Sequence, residues 1–93
     1  MVRKTVPFNQ GGASKLPNNK PVVYRIQTGS GKTNYVGVAK KGRVQERIEE
    51  HLEEGKVSGS KVQIKQMPSI REAEKAEVRI IARSEPKYNK KGK

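Results

Sequence analysis

At 93 residues, 31% of them hydrophobic, the chain has room for one small domain and no more. It has no cysteine, which excludes disulfides, thiolate metal sites and a cysteine nucleophile, and it has no apolar run near the ~18 residues of a membrane span. Lysine and arginine number 21 against 9 acidic residues, a formal charge of +12, so we expect a polyanionic partner, with nucleic acid as the first candidate.

The first twenty residues are polar and basic, with only Val6, Phe8 and Leu16 as large apolar side chains. That is too little apolar surface to offset the entropy of ordering the chain. We therefore predict a flexible basic arm over 1–20 and a single domain over 21–93. Because the N-terminus lacks the apolar core of a signal peptide, we expect a cytoplasmic protein with no membrane partner.

The stretches 22–26 and 34–37 are rich in valine, isoleucine and tyrosine, and a glycine-containing segment joins them. This composition predicts a β-hairpin, because branched and aromatic side chains favour strands and glycine favours the reversal between them. Each strand carries one tyrosine, Tyr24 or Tyr35. Antiparallel pairing can bring the two phenols to one end of a small sheet.

Apolar residues at steps of four predict a helix that starts at Arg43 or Val44 and ends near Gly55. Arg47 and His51 are also four residues apart, so they lie one above the other along the border of the apolar stripe. Side chains at such a border can be held in place and still reach water. Each of them alone would be read as an ordinary helix charge or a capping histidine.

The stretch 61–67 alternates between apolar and polar residues, which predicts a third strand, and Ser69 with Glu72 forms a capping box that begins a helix reaching about Arg83. Glu77 falls within the apolar stripe of that helix. A carboxylate facing a core is costly unless it is paired or bound to a metal. We expect Glu77 to be either a metal-binding or catalytic carboxylate, or one half of an ion pair with Arg25 or Arg47.

These elements predict an α+β fold, a small three-stranded antiparallel sheet flanked by helices. All nine acidic residues are glutamate, which disfavours the clustered aspartates of two-metal nuclease sites. We expect the candidate residues of the strands and helices to converge on one face of the sheet.

Two short motifs resemble the paired signature of a known family. Val23-Tyr24 and Tyr35-Val36-Gly37 are similar to the two halves of the GIY-YIG signature, with valine in place of a glycine or an isoleucine. The fold that this resemblance implies is the same small antiparallel sheet flanked by helices. The family's members are nucleases.

The helix after the hairpin extends the resemblance. In the family an arginine follows the second tyrosine on the first helix, and in some members a histidine lies four residues later, as Arg47 and His51 do here. Arg47 follows Tyr35 by two positions more than is usual. Either the preceding loop carries two extra residues or the assignment moves to Arg43, and the arginine-histidine spacing favours Arg47.

The C-terminal part is similar to the nuclease domain of the bacterial excision nuclease subunit that incises damaged DNA. Glu77, Pro86, Tyr88 and Asn89 are in register with its closing motif. The resemblance implies that Glu77 holds a single divalent ion, Mg²⁺ or Mn²⁺, in a DNA endonuclease.

The same resemblance implies roles for the other residues. Tyr24 would orient or deprotonate the attacking water, and Arg47 would stabilise charge on the scissile phosphate. Tyr35 and His51 would relay the proton or position the phosphate, and Asn89 would hold the geometry of the site by hydrogen bonds.

Two other functions stay open at this point. The chain could be a non-catalytic nucleic-acid-binding module on the same fold, or a basic structural protein such as one associated with the ribosome. The sequence decides neither DNA against RNA nor the oligomeric state. Family nucleases commonly depend on a separate targeting domain or partner protein, so the chain is either an excised domain, a subunit that works with a targeting partner, or a structure-selective enzyme that works alone.

Overall fold

The computed structural model describes residues 3–55 and 57–84 as one sheet with helices on both faces. The sheet and helix elements follow one another in chain order. They are β1 (Arg3–Pro7), α1 (Gln10–Ala13), β2 (Val22–Gln27), β3 (Thr33–Ala39), α2 (Val44–Glu54), β4 (Lys61–Gln66) and α3 (Ile70–Ser84).

The sheet has four strands in the order β1-β4-β2-β3, and every neighbouring pair is antiparallel. The predicted hairpin is confirmed as β2 and β3, with Tyr24 paired to Gly37 and Ile26 paired to Tyr35. The predicted third strand is confirmed as β4, which lies on the other side of β2. The α+β class is therefore correct, but the sheet has four strands where the sequence predicted three.

The additional strand comes from the N-terminal stretch for which the sequence predicts a flexible arm. Arg3 to Pro7 pair with β4, and Val6 lies opposite Val62 in the register. The chain then turns through α1, and Leu16 is 1% exposed in the core. Only one residue of β1 is buried, so the sequence of β1 shows no apolar alternation that would predict a strand. Main-chain hydrogen bonds to β4, and not side-chain packing, hold most of β1 in the sheet.

The two faces of the sheet carry separate cores. On one face α1 and α2 cover the side chains of Val22, Tyr24 and Ile26. On the other face α3 packs against β2 and β3, over Val23 and Val36. Successive residues of a strand point to opposite faces, so β2, buried on both sides, is the central scaffold of the domain.

The helix ends follow the predicted signals. α2 starts at Val44 and ends where Gly55 adopts a left-handed φ of 67°, a conformation that glycine takes without steric cost. At the start of α3, the Glu72 backbone N–H donates to Ser69 Oγ at 3.3 Å. None of the helices in the described parts of the chain is long and apolar enough to cross a membrane.

Leu16→Ala measures whether the N-terminal stretch belongs to the fold. We expect the free energy of unfolding to fall by ~2–5 kcal/mol, because a fully buried leucine leaves a cavity when it is truncated. The matched control is its exposed neighbour, Lys15→Ala, which should change stability by less than about 0.5 kcal/mol. Urea denaturation of both variants gives the comparison, and equal midpoints would contradict this packing.

Candidate functional site

Tyr24 occupies the centre of the sheet, and its phenol extends over the neighbouring strand. The residue is 0% exposed on β2, and its Cα partner on β3 is Gly37. A Cβ built on Gly37 would lie 2.5 Å from the Tyr24 hydroxyl oxygen and 2.6 Å from Cζ. The absence of a side chain at Gly37 therefore creates the passage through which the phenol reaches towards the edge of the sheet.

His51 of α2 meets this phenol. The Tyr24 Oη and His51 Nε2 atoms are 2.7 Å apart in a buried hydrogen bond. The Tyr35 ring lies beside both, with its centroid 4.8 Å from that of His51 and 6.1 Å from that of Tyr24. We call Tyr24, Tyr35 and His51 the ring cluster.

Arg47 precedes His51 by one helical turn and adds a cation to the ring cluster. Its guanidinium lies close enough to the Tyr24 phenol for its charge to act on that hydroxyl, and its Nη1 donates to Glu50 Oε1 at 3.0 Å. The Arg47 side chain is 41% exposed, so one side of the guanidinium faces solvent. A cation fixed beside a buried phenol and still open to water is suited to binding an incoming anion.

Arg43, the other candidate for the arginine position, lies elsewhere. It is the N-cap residue of α2, its side chain is 54% exposed, and it forms an ion pair with Glu46. The structure thus places Arg47, and not Arg43, next to the ring cluster.

The Tyr24 phenol is held in its protonated form. Burial raises its pKa well above the ordinary value, and the nearby Tyr35 adds to the increase. The positive charge of Arg47 lowers the pKa of Tyr24, and the negative charge of Glu77 raises it. The sequence resemblance implies that Tyr24 orients or deprotonates a water, but burial outweighs the nearby cation, so Tyr24 carries its own proton at neutral pH.

The pKa of His51 is shifted downwards, in the opposite direction to that of Tyr24. Burial lowers the pKa of its imidazole, and the positive charge of Arg47 lowers it further, while Glu54 and Glu50 partly oppose the shift. The neutral imidazole therefore predominates at neutral pH, with one ring nitrogen free to accept. When Nε2 is that nitrogen, the Tyr24 O–H donates to it, and the pair consists of a proton donor hydrogen-bonded to an unprotonated base.

Glu77 approaches from the opposite side of the sheet. It is half-buried on α3, which packs on the face away from the ring cluster, so the candidate residues do not share one face as the sequence predicted. β3 is an edge strand, and the Tyr24 phenol already crosses it above Gly37. The charge of Glu77 consequently reaches the phenol and contributes to its pKa. The candidate site lies around the β3 edge and not within one layer.

The donor set allows only a sparsely ligated metal ion. Within 3–55 and 57–84 no three His, Asp or Glu side chains gather into a metal-binding group. Mg²⁺ commonly keeps several waters and takes one or two carboxylates, whereas structural zinc needs four protein ligands. The carboxylate of Glu77, within electrostatic range of the phenol, is the ligand that the sequence resemblance assigns to Mg²⁺ or Mn²⁺.

Four of the predicted residues, Tyr24, Tyr35, Arg47 and His51, are thus brought together, with Glu77 within electrostatic range. Asn89 lies outside the described residues.

In comparisons with known proteins, no family model and no curated protein matches this chain. Gly37 had no predicted role of its own, although it is the last residue of the second motif. In the structure it leaves the space that the Tyr24 ring occupies.

Gly37→Ala tests that clearance. The added methyl group collides with a buried ring that cannot swing into solvent, so we expect a loss of ~1–3 kcal/mol in the free energy of unfolding and displacement of the Tyr24 ring. Urea denaturation and the NOEs between the Tyr24 and His51 rings measure the two effects. Gly29→Ala is the matched control, because its Cβ would meet nothing closer than 3.9 Å.

The pKa of His51 reports which arginine adjoins the ring cluster. His51 is the single histidine of the chain, so its NMR titration is unambiguous. We expect a pKa below the ordinary ~6.5, a rise in Arg47→Gln because a nearby positive charge is removed, and no change in Arg43→Gln. The opposite ranking of the two variants would move the site to Arg43.

The lowered pKa of His51 also makes the stability of the fold depend on pH. At a pH between the His51 pKa of the folded protein and that of the unfolded chain, the unfolded chain binds more protons. The free energy of unfolding therefore rises with pH in this window. The contribution of neutral His51 to stability is lost as the pH falls through its folded-state pKa.

Proposed function

We propose that this chain is a metal-dependent endonuclease of the GIY-YIG type that hydrolyses phosphodiester bonds in DNA. The observation that carries the proposal is the buried 2.7 Å contact between Tyr24 Oη and His51 Nε2, with the Arg47 guanidinium beside it. A phenol bonded to a neutral base, next to a solvent-facing cation, is an arrangement for delivering a deprotonated water to a phosphate.

The raised pKa of Tyr24 determines how the proton moves. Because the phenol rests protonated, it cannot simply remove a proton from water. Tyr24 is 0% exposed, so the proposed step begins when the substrate brings a water to the buried phenol. Tyr24 Oη then accepts a proton from that water while its own proton passes to Nε2 of the neutral His51, which releases it to solvent after the reaction. The hydroxide oxygen forms its bond to phosphorus, the bond from phosphorus to the leaving oxygen breaks, and that oxygen takes a proton from solvent.

Arg47 balances the charge of this reaction. Its guanidinium donates in a planar fork that suits two oxygens of one phosphate. Negative charge builds up on those oxygens in the transition state, so the interaction strengthens there. The loss of one such donor typically costs ~10²–10³ in rate.

Glu77 would hold the divalent ion, and the ion would supply charge neutralisation at the phosphate and a polarised bound water. Tyr35 packs against the His51 ring and fixes its orientation. Asn89 keeps its proposed role of holding the site's geometry by hydrogen bonds, on the basis of the sequence resemblance.

A second candidate function is nucleic-acid binding without catalysis. The formal charge of +12 favours it independently of the site, because lysine and arginine contacts to phosphates need no particular geometry. That function does not use the pairing of Tyr24 with His51. Cleavage assays therefore separate the two candidates.

Cleavage of supercoiled plasmid and of branched DNA with Mg²⁺ or Mn²⁺ tests the proposal. We expect metal-dependent cutting that falls by ~10²-fold or more in Arg47→Ala, Glu77→Ala and Tyr24→Phe, compared at equal DNA binding. Arg43→Ala is the matched control on α2 and should cut like the wild type. Parallel RNA substrates define the substrate class.

The pH dependence adds a mechanistic signature. The reaction needs neutral His51, so the rate should rise with pH along an acid limb centred at the pKa that NMR gives for His51. Binding to every substrate without cutting any of them, with or without added metal, would favour the non-catalytic function.

A further inference from the structure

A basic cavity lies on the sheet face opposite the ring cluster. It encloses about 230 Å³ between α3 and strands β1, β2 and β4. Five cationic side chains of the described residues line it, namely Arg3, Arg25, Lys65, Arg79 and Arg83. They come from four different elements, so the fold, and not local sequence, brings them together.

Among residues 3–55 and 57–84, no acidic side chain lines this cavity. None of the five cations forms an ion pair with a carboxylate of residues 3–55 and 57–84. Burial lowers the pKa of Arg25, and the charges of Arg3 and Arg83 lower it further. Like charges held this close destabilise the fold unless an anion offsets them.

Arg25 is also held in position. It is half-buried, and its Nη1 donates to Gln63 Oε1 at 3.1 Å. The floor beneath it is apolar, formed by Val23, Met67 and Ile80. A fixed guanidinium above an apolar floor, with flexible cations around the rim, is suited to a phosphate group. The volume of about 230 Å³ is below that of most drug-sized ligand sites, so the cavity suits one phosphate group of a longer polyanion better than a complete small-molecule ligand.

We propose that this cavity is a second phosphate-binding site, which holds a segment of nucleic acid distinct from the segment at the ring cluster. The identity of the ligand rests on the proposed function. Tyr24 and Arg25 are neighbours on β2 and point to opposite faces, so the two sites are separated by the sheet itself. A short straight duplex cannot touch both. The preferred substrate is accordingly a branched or sharply bent nucleic acid.

The test compares two double variants with the same net charge on the same helix. Arg79→Gln/Arg83→Gln removes two exposed cations from the cavity rim, and Arg71→Gln/Lys75→Gln removes two exposed cations that do not line it. Binding is measured in EDTA, so that no strand is cut, to a linear duplex and to a Y-shaped junction of equal length over a range of salt concentrations.

We expect the rim variant to bind the junction about tenfold more weakly and to lose about one to two units of the salt slope, with a smaller effect on the linear duplex. The control variant should bind both DNAs nearly as the wild type does. Equal weakening by the two variants, or equal weakening on the two DNAs, would overturn the proposal. Selective loss of junction binding in a protein that never cuts would support this site and reject the nuclease.

Discussion

The hydrogen bond between Tyr24 and His51 depends on three separate features of the fold. Tyr24 must lie on the central strand, where both faces are covered. Gly37 must lack a side chain, so that the phenol can pass over β3. α2 must present His51 four residues after Arg47, so that a base and a cation reach the same hydroxyl. Each feature serves stability as well as the site, because the bond is buried and every polar atom in it is paired.

Burial and the charge of Arg47 both act on this bond, in opposite directions on the pKa of the phenol and in the same direction on the pKa of the imidazole. Burial stabilises the neutral forms of both partners, which raises the pKa of Tyr24 and lowers that of His51. The Arg47 charge favours the ionised phenol and disfavours the protonated imidazole. Burial outweighs the cation for the phenol, so in the proposed reaction the proton passes through the tyrosine to the histidine. Burial keeps the Tyr24 hydroxyl protonated and the His51 imidazole neutral, so it determines that the imidazole nitrogen is the proton acceptor of the pair.

Local pattern was sufficient for the hairpin, for α2 and α3, and for placing Arg47 beside His51, because periodicity and end signals are encoded within a few residues. It was insufficient for β1, whose single buried residue, Val6, gives no alternation and whose partner lies far along the chain. It also failed for the placement of Glu77. The helical period gives the stripe on which a residue lies, but only the packing of α3 on the other face, near an edge strand, determines how its charge reaches Tyr24.

The pairing of β1 with β4 also has a kinetic consequence. Arg3 meets Lys65 and Pro7 meets Lys61, so the first strand cannot find its place until most of the chain has been synthesised. Non-local pairings of this kind form slowly, because the intervening chain must be ordered before the contact is gained. Until then β4 is an unpaired edge that another molecule can occupy. The pairing of β1 with β4 is therefore a late step of folding, and the open edge of β4 is exposed to aggregation until that pairing forms.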